Sequence, residues 1–131
     1  MPTRRQAGTE KFTRRAQRMS EWSARRSQRE LDLLNGLHPH TRLHAVTLLG
    51  AVPGLTVTSG RRTRLGNLKA RGAPNSWHLK GRAVDLTGDF ATLSRARDIA
   101  RSQRVSKNCT GPEEVLLEFP HTSRQHLHVA W

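Results

Sequence analysis

The sequence predicts an α+β domain in which a small, mainly antiparallel sheet is flanked by helices. Two segments with helical apolar spacing come first, and short segments with the alternation typical of strands follow them. One further helical segment lies between the second and third strands. Helices first, then strands with a single helix among them, are typical of the α+β class.

The two leading helices are predicted from leucine density and from signals at their ends. The apolar positions of the first are Leu31, Leu33, Leu34 and Leu37. Asn35-Gly36 marks the end of that helix, and His38-Pro39 begins the second, which ends near Gly50. The predicted core face of the second helix consists of Leu43, Val46, Leu48 and Leu49. The histidines of this region, interpreted as cap or surface residues, are His38, His40 and His44.

The remaining elements are predicted from alternation and from one apolar stripe. The predicted strands cover residues 55–59, 82–87, 114–119 and 125–131. Residues 60–75 are rich in Arg, Gly, Asn and Pro and have almost no core pattern, which predicts a long, functional loop. A helix is predicted over residues 92–105, with a stripe formed by Leu93, Ala96, Ile99 and Ala100.

Composition excludes several classes of protein. The chain of 131 residues has the length of one domain. No apolar run approaches the roughly 20 residues that a membrane helix needs, and no apolar segment of the signal-peptide type follows the early basic residues. The single cysteine, Cys109, cannot form an internal disulfide or a cysteine-rich zinc site and is expected to be a free thiol.

The formal net charge of +13 predicts an anionic partner such as nucleic acid, a wall polymer or a membrane surface. Residues 1–30 hold nine basic and three acidic side chains and lack apolar periodicity. They are interpreted as a basic, partly disordered N-terminal arm, with a helix from Ser20, and residues 31–131 as the folded domain. The arm is either a solubilising terminus or a segment that binds an anionic polymer.

The last predicted strand carries two histidines on one face. Because side chains alternate along a strand, His126 and His128 lie together with Ala130. The opposite, apolar face consists of Leu127, Val129 and Trp131. Two imidazoles on one strand face can present a metal ligand or an acid/base pair.

His78 and Asp85 form a second candidate pair. They lie seven residues apart, which is roughly 23 Å in an extended chain, whereas the ligands of one zinc ion each lie about 2 Å from it. If both are ligands, the chain must fold back between them, and Gly81 supplies the freedom to do so. Asp85 then shares a strand face with Ala83. The alternative is a solvated or salt-bridged aspartate and an unrelated loop histidine.

Two histidines and one aspartate from separate segments match the ligand set of a catalytic zinc site. Three protein ligands leave one coordination position open in such a site, whereas a structural zinc site is closed. Zinc lowers the pKa of a bound water to about 7 and polarises a carbonyl, which suits amide hydrolysis.

The block Ser76-x-His78-x-x-Gly81-x-Ala83-x-Asp85 resembles the SxHxxGxAxD signature of the zinc D-Ala-D-Ala carboxypeptidases and related peptidoglycan peptidases. His126-x-His128 resembles the HxH of one branch of that family. The segment from Thr58 to Thr63 resembles the family's SGYRS segment, with Arg61 where an aromatic residue is usual. The resemblance covers about residues 38–131 and implies the Hedgehog/DD-peptidase α+β fold.

The resemblance also implies roles for individual residues. His78, Asp85 and His128 fall on the three zinc ligands. Arg62 falls on the arginine that holds the substrate carbonyl or carboxylate and stabilises the oxyanion, which suits a permanently charged, forked donor. Ser76 would form a hydrogen bond near the site.

The position of the general base departs from the family pattern. Many members carry Asp or Glu where this chain has Gln125, and an amide cannot take a proton. The HxH branch has a histidine two residues before the last ligand, so the resemblance implies that His126 is the acid/base or oxyanion-stabilising group. His121 and Glu118 are lesser candidates. The missing acid leaves open a domain that binds zinc without activity.

Together these residues predict a zinc metallopeptidase that hydrolyses peptide bonds in peptidoglycan stem peptides, as a D-Ala-D-Ala carboxypeptidase or an endolysin-type endopeptidase. Wall activity without a signal peptide is expected of a phage or prophage lysis enzyme, made in the cytoplasm and acting in cell wall degradation after release or from a virion. The alternative is a catalytically inactive zinc-binding module or virion-associated protein whose basic arm binds nucleic acid or another polyanion.

Overall fold

The computed structural model describes residues 26–103 and 111–131. Their elements are α1 (Gln28–Asn35), α2 (Pro39–Ala51), β1 (Thr56–Ser59), α3 (Arg64–Lys69), a 3₁₀ turn (Trp77–Lys80), β2 (Ala83–Thr87), α4 (Phe90–Ser102), β3 (Glu114–Glu118) and β4 (His126–Ala130). Four helices and a four-stranded antiparallel sheet in this part of the chain confirm the predicted α+β class. Within it, no helix is long and apolar enough to cross a membrane.

The strands are arranged in the order β1-β2-β4-β3, and every neighbouring pair is antiparallel. The central pair, β2 and β4, sets Asp85 opposite His128 and Val84 opposite Val129. Because successive residues face opposite sides of a sheet, the first of these pairs lies on one face and the second on the other. The register therefore places two predicted ligands side by side at the centre of the sheet, although they are far apart in the sequence.

The hydrophobic core lies between the other face of the sheet and helices α1, α2 and α4. Its members include Leu34, Leu48, Leu49, Val84, Leu86, Leu93, Leu127, Val129 and Trp131. Burial of each aliphatic side chain in this set is worth about 1.5–3 kcal/mol. A slip of β4 by one residue against β2 would turn His128 toward this core and away from Asp85, so the core fixes the register that builds the site.

The end of α1 and the start of α2 agree with the sequence signals. α1 follows Ser27, which forms a capping box with Glu30, and stops before Gly36. α2 has Pro39 at its first position and His38 as its N-cap. Asn35-Gly36 and His38-Pro39 therefore mark the end of α1 and the start of α2, as predicted.

Two predictions about side chains of α2 are wrong. Leu43, assigned to the core face, is 62% exposed. His44, interpreted as a cap or surface residue, is buried and stacks on Trp131 with ring centroids 5.5 Å apart. Burial, and after it the charge interaction with His40, lowers the pKa of His44, so the folded state favours the neutral ring. The imidazole packs as an aromatic ring here, and the buried residues of α2 are Thr41, His44, Ala45, Leu48 and Leu49.

The long loop predicted over residues 60–75 contains a helix, α3. The hydroxyl of Thr63 caps it by accepting a hydrogen bond from the Gly66 N–H at 3.0 Å. Leu65 and Leu68 are 61% and 73% exposed. Because α3 has no buried apolar stripe, the hydrophobic pattern does not reveal it.

Some predictions concern residues outside the described part of the chain. Residues 1–25 of the predicted arm belong there, whereas residues 28–30 form the first turn of α1. Residues 104–110 also lie outside the described part of the chain. They include Cys109 and the last residues of the helix predicted over residues 92–105. In the structure this helix, α4, ends at Ser102.

Glu30 is a buried carboxylate that ties α1 to β1. Its Oε2 accepts hydrogen bonds from the Val57 N–H at 3.0 Å and from Arg26 Nη1 at 3.1 Å. Burial raises the pKa of this carboxyl, but the hydrogen bonds from Val57, Arg26 and Ser27 outweigh burial and hold the pKa below its ordinary value of 4.5. The folded state therefore favours the charged form of Glu30.

We expect Glu30→Gln to lower the free energy of unfolding at pH 7 by about 1.5–3 kcal/mol, the worth of hydrogen bonds to a charged group. Because the folded pKa is depressed, this stabilisation is present above pH ~4.5 and is lost as the pH falls below that value. Urea unfolding should therefore separate the two proteins at neutral pH and much less at about pH 3. Asp32→Asn, which changes an exposed carboxylate on the same helix, is the control. Equal stability of Glu30→Gln and wild type at pH 7 would contradict this role.

Candidate metal centre

Three predicted ligands meet on the sheet face opposite the core. His78 lies in the 3₁₀ turn, Asp85 in β2 and His128 in β4. Asp85 Oδ1 is 3.1 Å from His78 Nε2 and 3.1 Å from His128 Nδ1. All three residues are buried, and one ligand atom from each lies within 4.8 Å of the other two. This buried group could hold a metal ion.

The chain reverses direction at Gly81, between His78 and Asp85. Gly81 has a φ of 68°, in the left-handed region that favours glycine, and its N–H donates to the His78 carbonyl oxygen at 3.2 Å. A Cβ at this position would lie 3.3 Å from the backbone nitrogen of His38. The tight reversal lets two side chains that are seven residues apart in the sequence face each other.

One ring nitrogen of His78 is held by the backbone. His78 Nδ1 lies 2.7 Å from the carbonyl oxygen of Gly60. Because a carbonyl only accepts hydrogen bonds, Nδ1 carries the proton and Nε2 is the ring atom available as a ligand. Ser76 supports the same turn, since its hydroxyl accepts a hydrogen bond from the His78 N–H at 3.3 Å.

His128 is held by Glu114, a residue that the sequence motifs do not reveal. His128 Nε2 lies 3.1 Å from Glu114 Oε1, while His128 Nδ1 faces Asp85. A carboxylate that accepts from one ring nitrogen fixes the tautomer and leaves the other nitrogen for a metal. The sequence signal was limited to the strand spacing of Glu114 and Glu118, which places both on one face of β3. The β3–β4 register, which sets Leu116 opposite His128, is seen only in the structure.

The carboxylates of this group stabilise positive charge. Burial raises the pKa of Asp85, but hydrogen bonds with His128 and His78 outweigh burial and hold that pKa well below its usual range. Burial lowers the pKa of His128, but its hydrogen bonds and charge interactions with Asp85 and Glu114 outweigh burial and raise it. The centre therefore favours a cation in contact with the two carboxylates.

Arg62 lies beside the three ligands and is anchored at three points. Its Nη2 donates to Asp85 Oδ2 at 2.9 Å and its Nε donates to Ser59 Oγ at 3.2 Å. Its backbone N–H donates to the His78 carbonyl oxygen at 2.8 Å. Oδ1 of Asp85 thus contacts both histidines, and Oδ2 accepts the hydrogen bond from Arg62. A single carboxylate therefore positions the side chains of His78, His128 and Arg62.

A histidine–carboxylate pair lines the same cleft as the metal-ligand group. His126 Nε2 lies 3.4 Å from Glu118 Oε2, and His126 Nδ1 lies 2.9 Å from the carbonyl oxygen of Arg124. The cleft has a volume of about 410 Å³, and His126 and Glu118 both belong to its lining. The structure therefore brings two candidate proton-transfer residues to the site.

His121 and Gln125 do not belong to the lining of this cleft. His121 is exposed and stacks on Phe90, with ring centroids 4.1 Å apart. Gln125 accepts a hydrogen bond from the His121 N–H at 2.8 Å and donates one to the Gly88 carbonyl oxygen at 3.1 Å. The amide at the position of the usual acid therefore braces the loop between β3 and β4.

The donor set fits a zinc ion. Imidazole nitrogens and a carboxylate oxygen are typical ligands of catalytic zinc sites. Two atoms that each lie about 2 Å from an ion at the tetrahedral angle are about 3.3 Å apart, close to the 3.1 Å that separates Asp85 from each histidine. Within residues 26–103 and 111–131, the group contains no fourth His, Cys, Asp or Glu. Such a set leaves a coordination position for substrate or water.

We expect Glu114→Gln to weaken zinc binding about 10–100-fold, the usual cost of losing an outer hydrogen bond to a ligand. Competition with a chromophoric chelator measures this without any catalytic activity. Glu113→Gln removes the same charge from the adjacent, exposed residue and should bind zinc as the wild type does. Equal losses in the two variants would mean that net charge, and not the contact with His128, sets the affinity.

Comparison with known proteins gives one match. A family model described as Peptidase M15 matches residues 15–129. The matched segment includes Arg62 and the three residues of the buried His-Asp-His group. No match was found among curated proteins or among solved structures.

Proposed function

This chain belongs to the peptidase M15 family of metallopeptidases, and from that we propose that it is a zinc-dependent hydrolase of peptide bonds in peptidoglycan stem peptides. The observation that carries the proposal is the buried group of His78, Asp85 and His128 beside Arg62 in an open cleft. Ligands, an anchored cation and a histidine–carboxylate pair within one cleft are the parts that amide hydrolysis requires.

His78, Asp85 and His128 would hold the ion, and bound zinc supplies polarisation of a carbonyl and acidification of water. The surrounding residues orient the three ligand atoms toward a common point. Contacts with the Gly60 carbonyl and with Glu114 fix the two rings, and the ion pair with Arg62 fixes the carboxylate. All three residues are buried, so these contacts are shielded from solvent.

Arg62 is assigned to the substrate oxygen on which negative charge develops. Its Nε and Nη2 are anchored by Ser59 and Asp85, so Nη1 is the donor that we assign to the carbonyl of the scissile bond. An anchored guanidinium is already oriented, and its planar fork of donors suits an oxyanion. Stabilisation from such a donor costs no reorganisation during the reaction.

His126 is assigned to proton transfer. Its Nδ1–H donates to the carbonyl oxygen of Arg124, which leaves Nε2 as the atom that takes up or releases a proton. Glu118 Oε2 lies 3.4 Å from that nitrogen and can orient the ring toward the cleft. This pair takes the place of the acid that Gln125 cannot provide.

Hydrolysis of peptides that end in D-Ala-D-Ala, and of purified peptidoglycan, tests the proposal. We expect the zinc-loaded protein to release D-Ala or cleaved stem peptides, and a chelator to stop the reaction. Identical products from wild type and Asp85→Ala would contradict it. A protein that binds zinc and cleaves none of these substrates would instead be the non-enzymatic zinc module.

We also propose that the chain is a phage or prophage lysis enzyme, made in the cytoplasm and acting on the wall after release or from a virion. The net charge of +13 supports this proposal, because a strongly basic protein stays close to anionic wall polymers. Isolated cell walls should lose turbidity in its presence, and the rate should fall as salt screens the attraction. A rate that is independent of salt would argue against the wall-binding role of the charge.

A further inference from the structure

The cleft lined by His78, Asp85 and His128 is called the metal cleft below. A second cavity, which we call the basic cavity, adjoins it. It has a volume of about 1060 Å³ and is formed by the segment around α3 and by the 3₁₀ turn. The residues that line both spaces are Arg62, Gly72, Asn75 and Ser76. A peptide whose scissile bond lies in the metal cleft can therefore extend into the basic cavity.

The charged residues that line the basic cavity are all cationic: Arg61, Arg62, Arg64 and Lys80. Asp85 neutralises Arg62. Among the residues that the structure describes, no carboxylate lies within ion-pair distance of the other three, and none lines the cavity. The cavity therefore presents uncompensated positive charge next to the site of hydrolysis.

The position of Arg64 is unfavourable for its own helix. Arg64 is the first residue of α3, and the positive end of a helix dipole disfavours a cation there. No acidic residue in the first turn of α3 compensates it. Arg64 therefore has no acidic partner in the first turn of α3, and it lines the cavity.

The rest of the lining favours a peptide over a nucleic acid. Leu68, Leu79 and Pro74 supply apolar walls, and no lining residue is aromatic. Clefts for single-stranded nucleic acid combine basic charge with aromatic stacking platforms, whereas small-ligand pockets combine apolar walls with a few placed charges. We propose that the basic cavity is a substrate subsite that holds a carboxylate-bearing segment of the peptide; this inference rests on the proposed function.

Two matched peptide substrates that differ only by Glu or Gln, outside the scissile bond, test the subsite. We expect kcat/KM to favour the Glu peptide several-fold in the wild type. The preference should fall about two- to fivefold in Arg64→Gln and in Lys80→Gln, mainly through KM, as expected for loss of one exposed ion pair. Arg95→Gln removes an exposed arginine from α4 and should leave the preference unchanged.

Equal kcat/KM for the two peptides in the wild type would overturn the subsite while leaving the peptidase activity established. Calorimetry measures the binding of the same two peptides if the protein does not cleave them. If neither peptide is cleaved but the Glu peptide binds more tightly in a manner that depends on Arg64, the cavity binds carboxylate-bearing peptides and the proposed function fails. Salt-dependent binding of single-stranded DNA that both variants lose, without discrimination between the peptides, would assign the cavity to nucleic acid.

Discussion

Replacement of Asp85 by asparagine should abolish peptidase activity and most of the zinc affinity. Asparagine keeps the shape of the side chain but removes the negative charge that faces His78, His128 and Arg62. Loss of a residue that only hydrogen-bonds to a metal ligand costs about 10–100-fold in metal affinity, so loss of the charge of a ligand itself should cost more than about 100-fold. Lewis-acid stabilisation is worth several kcal/mol, so activity should fall by at least about 10³-fold.

Asp89→Asn is the matched control for this experiment. Asp89 is exposed and caps α4 with its side chain, a position that asparagine fills equally well. Zinc titration and peptide hydrolysis of both variants should therefore separate the buried site from a general effect of losing one carboxylate. Full activity in Asp85→Asn would remove this residue from the site.

Arg62→Lys should lower kcat about 10²–10³-fold, the effect of losing one oriented donor to a developing oxyanion. Lysine keeps the charge but cannot bind Ser59 and Asp85 through a fork while presenting a further donor to substrate. Because the charge beside Asp85 remains, we expect zinc affinity to change much less than kcat.

Steady-state rates at saturating zinc measure this effect, with Arg95→Lys on the exposed surface of α4 as the control. A variant that raises KM and leaves kcat intact would show that Arg62 binds substrate and transition state equally. That result would contradict its assignment to the developing oxyanion.

Local patterns in the sequence predict much of the fold. The end signals at Gly36 and Pro39 mark where α1 ends and α2 begins, and alternation assigns Leu127 and Val129 to the core. The same alternation places His128 on the opposite face, where it meets Asp85 across the β2–β4 pairing. These features follow from short-range chemistry, so a single sequence reveals them.

Other features depend on contacts that no local pattern records. α3 leaves Leu65 and Leu68 exposed and so has no periodic signal. His44 is buried because Trp131, far away in the sequence, stacks on it. Glu114 reaches His128 only through the β3–β4 register, which the spacing of residues within one strand does not fix.

Metal content tests the central claim most directly: His78, Asp85 and His128 hold a catalytic zinc ion. Wild type, His128→Ala and His121→Ala are to be purified alike, checked for fold by circular dichroism, and analysed for zinc per chain. His121 is exposed and does not line the metal cleft, so its variant is the matched control. We expect about one zinc ion per chain in the wild type and in His121→Ala, and none in His128→Ala. A folded His128→Ala that keeps its zinc would contradict the account.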